Sequence, residues 1–159
     1  MIKNYEKKIN NKVNKKIKTV LDKLNLQYRI STNSNHDDYF WLDYEKPMKN
    51  GDDILYSVAI IYDSDIETIS IIVPGIRKFK GNNQSIKLYE KLNILNATTL
   101  FGSVYIMENE NKMHTITFSH SFPFLDNEEA LLTNFNSIFE YLDFFILEAK
   151  NILSSRVKL

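Results

Sequence analysis

The sequence predicts a single α+β domain in which helices pack on an antiparallel sheet. Two observations point there. Apolar residues recur at spacings of three and four near both ends of the chain and again around residue 90, as they do in helices with one buried face. Between those stretches they come in short runs rich in Ile, Val, Tyr and Phe and bounded by polar turns, which is the pattern of strands. A length of 159 residues suits one core and is enough to bury it without staples.

Ile2, Tyr5, Ile9, Val13, Ile17, Val20, Leu21 and Leu24 line one side of a first helix. Its other faces carry lysines at 3, 7, 8, 12, 15, 16, 18 and 23 against Glu6 and Asp22, either a solvated face or a surface for an anionic partner. Residues 26 to 31 alternate as a short strand, and Thr32 to Asp38 interrupt it. Tyr39 to Tyr44 form a second strand, Lys46 to Asp53 a loop containing Pro47 and Gly51, and Ile54 to Tyr62 a third strand. Asp63-Ser64-Asp65 turns the chain into a fourth, Ile66 to Val73, which Pro74 and Gly75 close; the short connections favour an antiparallel meander.

A second helix runs from about Gln84 to Asn96, capped by Asn82 or Asn83, with Ile86, Leu88, Tyr89, Leu92 and Leu95 as its stripe. Leu100 to Met107 and Lys112 to Ser121 form a hairpin across Glu108-Asn109-Glu110-Asn111. Beyond Pro123, Asp126 or Asn127 caps a long last helix to about Leu153, with Glu128 and Glu129 in the first turn, where the helix dipole favours them. Leu131, Phe135, Ile138, Leu142, Phe145, Ala149 and Ile152 recur along it, with Leu132, Phe139, Ile146 and Leu153 beside them. Such a face is wider than a coiled-coil seam and packs on the sheet with one edge and on a helix or a second subunit with the other. Phe135, Leu142 and Phe145 are the residues a homodimer would use. The acidic excess of this helix mirrors the basic first helix, so the two are expected to be neighbours.

Composition excludes several classes of function. Twenty basic residues balance twenty acidic ones, which removes the global electrostatic case for nucleic acid. No cysteine is present, which excludes disulfides, thiolate catalysis and cysteine metal sites and fits a reducing, cytoplasmic setting. Lysines and asparagines interrupt residues 9 to 24, so no signal-peptide core follows the basic start. No run approaches the roughly 18 apolar residues of a membrane span.

In the second half, Leu88-Tyr89-Glu90-Lys91-Leu92-Asn93-Ile94-Leu95-Asn96, then Gly102-Ser103-Val104-Tyr105-Ile106, then Ser121-Phe122-Pro123-Phe124-Leu125 before an acidic-start helix, the chain resembles the YbjN family. That family is similar in fold to the class I type III secretion chaperones. The matching stretch covers roughly residues 84 to 150. The resemblance implies helices on a curved antiparallel sheet, a common dimeric state, and binding of protein partners without catalysis. The neutral charge departs from the acidic balance usual among secretion chaperones.

No motif identifies a reaction. His36-Asp37-Asp38 lacks the further histidines a metal phosphohydrolase needs and reads as a solvated turn. His114 and His120 share strand parity but stand roughly 20 Å apart, too far to hold one ion. Asp63-Ser64-Asp65 lacks the oxygen ladder of a calcium loop, and no Gly-x-Ser-x-Gly elbow accompanies the serines. The segment Gly75 to Gly81 lacks the P-loop spacing, but Arg77, Lys78 and Lys80 could hold an anion there.

One feature exceeds expectation. Tyr39 and Trp41 oppose Phe40, Leu42 and Tyr44, while Leu55, Ala59 and Ile61 oppose Ile54, Val58 and Ile60, so both sheet faces need cover. The first helix could supply the second cover; otherwise a second subunit, a partner chain or a small ligand must. The expectation is a non-enzymatic, chaperone-like or adaptor module, homodimeric, without cofactor or metal. It would bind a protein segment through Tyr39, Trp41 and Ile61 or at a sheet edge. The alternative is a small-ligand protein or enzyme built on the basic segment.

Overall fold

The computed structural model describes residues 2–32, 38–46, 54–80, 86–108 and 113–154. In chain order the elements are α1 (Ile2–Lys23), β1 (Arg29–Thr32), β2 (Asp38–Lys46), β3 (Ile54–Asp63), β4 (Thr68–Lys80), α2 (Ile86–Thr98), β5 (Ser103–Glu108), β6 (Met113–Pro123) and α3 (Glu128–Ser154). The helix, meander, helix, hairpin and long helix expected from the sequence are all present. The proposed caps at Asn82 and Asn83, His36 and Asp37, and the hairpin turn lie outside the described residues.

Local chemistry sets the element ends. α1 stops because Asn25 takes a left-handed φ of 55°, so that Leu26 N–H reaches the Leu21 carbonyl and Asn25 N–H the Asp22 carbonyl, both at 3.0 Å. Between β3 and β4 the Asp63 carboxylate accepts from Asp65 N–H at 2.9 Å and closes the turn, which extends to Glu67. Asn127, one of two candidates, caps α3 by accepting from Ala130 N–H at 3.0 Å. The other candidate, Asp126, takes Lys12 and Lys16 of α1, while Lys23 reaches Glu128, so the opposite charges of the terminal helices do meet.

All strand pairs are antiparallel, in the order β1-β2-β3-β4-β6-β5. β6 thus lies between β4 and the edge strand β5, with α2 bridging from β4 over to that edge. One expectation needs correction: Pro74 and Gly75 do not close β4. The strand continues to Lys80, and the register steps from Val73↔Phe118 to Arg77↔Ile116, which sets Pro74, Gly75 and Ile76 against Thr117 alone. Gly75 has a φ of 72°, so the dipeptide makes a bulge, and β6 is long enough to keep pairing beyond it.

The core lies between the sheet and one layer of helices. Phe40 and Leu42 of β2, Val58 and Ile60 of β3, Ile69 and Ile71 of β4, and Phe118 of β6 are buried against Val13, Ile17 and Leu21 of α1, Leu95 of α2, and the length of α3. α3 lies between the other two helices and touches both. Every buried helix side chain named in this core belongs to the same cluster as the inward strand residues, so the described helices share one side of the sheet.

Candidate functional site

Strand registers place a set of side chains on the face that carries no described helix. In one row Ser31, Tyr39, Ile61, Ser70 and Ser121 lie side by side across the sheet. In the next, Arg29, Trp41, Ala59, Ile72, Ser119 and Ser103 do the same. The centre of this face is therefore apolar, formed by Tyr39, Trp41, Ala59, Ile61 and Ile72. Ala59, small and set between Trp41 and Ile72, is only 3% exposed, while the four larger side chains are half-buried. Serines border the patch toward β6, where Ser70 and Ser121 share a 2.8 Å hydrogen bond. In the next row along β2 and β3 it is bordered by Ser57, which donates to Asp43 at 2.8 Å, and Arg29 of β1 stands 3.7 Å from the same carboxylate. An apolar centre with a polar rim is the usual anatomy of a protein-docking surface.

The sequence-predicted residues thus divide. Tyr39, Trp41 and Ile61 come together on this open face. Phe135, Leu142 and Phe145 do not form a surface at all: they are 0%, 0% and 2% exposed, covered by the chain's own sheet. The expectation that they meet a second subunit is corrected accordingly, because the apolar stripe of α3 is used up within the chain. The large apolar side chains that α3 does expose are Phe144 and Leu147. Beside Phe144 on that flank, Tyr141 contacts the exposed Phe101 at 5.3 Å between ring centroids and accepts a hydrogen bond from Leu100 N–H at 3.0 Å.

Arg77 and Lys78 lie on β4, and Lys80 at its end, not in a loop before a helix. Arg77 donates to the Leu153 carbonyl in the last turn of α3, and Lys91 donates to the same oxygen at 3.1 Å. Those cations meet the negative end of the helix dipole. Lys78 lines a shallow cleft of about 200 Å³ with Lys150.

The two described histidines sit at opposite ends of β6. His114 is buried, and His120 packs between Phe101 and Phe122, at 5.6 and 5.9 Å between ring centroids. Burial pushes the His120 imidazole below its ordinary pKa of 6.5. Among the described residues no three His, Asp or Glu side chains stand close enough to hold a metal ion. No described helix is long and apolar enough to cross a membrane.

Sequence reasoning missed one contact. The Asn96 carboxamide accepts from Val104 N–H at 2.7 Å and donates to the Val104 carbonyl at 2.9 Å, pinning α2 to the edge of β5. Asn96 ends the Leu88-to-Asn96 stretch that carries the family resemblance. Its role depends on β5 being an edge strand beside α2, which spacing alone does not reveal.

Helices on one side of an all-antiparallel sheet with β6 set between β4 and β5 define a YbjN-like α+β domain. The crystal structure of YbjN from E. coli, a protein proposed to be a transcription regulator, aligns with a TM-score of 0.59 over 85% of this chain and 89% of that one. Sequence identity is 13%, so the likeness is one of fold, and it bears out the fold expected from residues 84 to 150. No family model matches the chain, and no curated protein matches it either.

Proposed function

We propose that this chain is a non-enzymatic protein-binding module that docks a segment of another protein on its open sheet face. The observation that supports this is the apolar centre of that face, Tyr39, Trp41, Ala59, Ile61 and Ile72, in two adjacent rows with no described helix over them. Tyr and Trp are effective anchors because they bury large apolar area while keeping a polar edge for hydrogen bonding. YbjN is proposed to regulate transcription. The zero net charge supplies no global attraction for nucleic acid, which favours a protein partner in such a role.

Trp41 is the single tryptophan of the sequence, so its fluorescence reports on this face alone. Proteins captured by the wild-type chain and lost with a folded Trp41→Asp variant identify the partner. On titration with that partner the emission is expected to shift to the blue as Trp41 leaves water. Unchanged emission at saturation, or full capture by Trp41→Asp, would refute the reading.

A further inference from the structure

Asn96 does to Val104 what a neighbouring strand would do, bonding both its N–H and its carbonyl. Both backbone groups of Val104 therefore point away from β6. Thr115 Oγ1, on β6, lies 3.5 Å from the Met107 carbonyl, which places that carbonyl on the β6 side. Backbone groups alternate in direction along an antiparallel strand, so Tyr105 and Met107 bond to β6. The N–H and carbonyl of Ile106, and the N–H of Glu108, face outward on the same edge as Val104. That edge borders a groove of about 470 Å³ whose other wall is α2, with Tyr89, Leu92 and Asn93 on the helix side and Ile106 and Glu108 on the strand side.

We propose that the β5 edge beyond Asn96 is a strand-addition site for one extended peptide carrying a basic side chain. The Asn96 clamp closes the edge at Val104, while no described residue bonds the outward groups of Ile106 and Glu108, which sets where an incoming strand begins to pair. Across the groove α2 presents Tyr89, Leu92 and Asn93 to the edge. Among the described residues Glu108 is the acidic side chain lining the groove and no Lys or Arg lines it, so Glu108 selects Lys or Arg on the incoming chain. The site is separated from Trp41 by β3, β4 and β6, so it stands independently of the open-face reading.

The test is selection of randomised short peptides against the full chain, followed by amide hydrogen exchange. Selected peptides are expected to alternate apolar and polar residues around a Lys or Arg. At saturation they are expected to slow exchange at Ile106 about tenfold or more while leaving Tyr105 and Met107 unchanged. Methylating the peptide nitrogen that meets the Ile106 carbonyl is expected to weaken binding about tenfold. Glu108→Lys is expected to turn the preference toward acidic peptides, and Trp41→Ala to leave binding as it was, which separates this site from the open face. The proposal is overturned if no peptide emerges, if those that bind leave Ile106 exchanging freely, if backbone methylation has no effect, or if Glu108→Lys keeps the basic preference.

Discussion

Gly102 shows how much one missing side chain can matter. Its φ is 73°, and a Cβ there would meet the Ser119 carbonyl oxygen at 2.2 Å, a backbone atom held in the β6 ladder. Gly102→Ala is expected to lower unfolding free energy by roughly 2 to 4 kcal/mol in urea titration. Thr117 presents the opposite case. It is fully buried opposite the β4 bulge, and its hydroxyl finds no partner among the described residues, so Thr117→Val is expected to be neutral or to stabilise by about 1 kcal/mol. For His120 the sign follows from its depressed pKa. Below the ordinary value of 6.5 the unfolded chain takes up a proton that the folded chain resists, so stability falls as pH drops from that value and levels off below the native pKa. His120→Asn is expected to flatten the dependence of the urea midpoint over that window. Gly102 opens one of the stretches that carry the family resemblance, but the carbonyl that requires it belongs to Ser119, seventeen residues on, which local pattern does not reveal.

Helices and strands were more legible, because their periods are local. All three helices and the strand runs followed from spacing, and Asn127 was one of two caps named for α3. What spacing could not say is what covers an apolar stripe. Phe135 and Phe144 both lie on α3, yet Phe135 contacts Phe122 at 5.7 Å between ring centroids with no exposure, while Phe144 is 62% exposed. Phe135→Ala is expected to cost about 3 to 5 kcal/mol, and Phe144→Ala no more than about 0.5, by thermal or urea unfolding. Equal losses would show that the outer flank of α3 is covered too. The bulge at Pro74 and Gly75 was misjudged for a similar reason. The same dipeptide ends a strand or bends it depending on whether the partner strand runs on, and β6 does.

The described residues form a one-sided layer: helices tied together by Lys12, Lys16 and Lys23 against Asp126 and Glu128 on one face, and a face with no described helix behind. Charge complementarity between the terminal helices could be read from composition, whereas the strand order could not, since pairing of distant segments leaves no periodic trace. That order has a consequence for how the chain comes together. During synthesis from the N-terminus the first four strands emerge as a ladder with a raw edge at β4, and β5 cannot join until β6 arrives between them. In pulse-labelled refolding the Tyr105 and Met107 amides should gain protection together with β6 and never ahead of it. Until then a nascent polypeptide carries an unfinished rim, open to mispairing with any other extended chain.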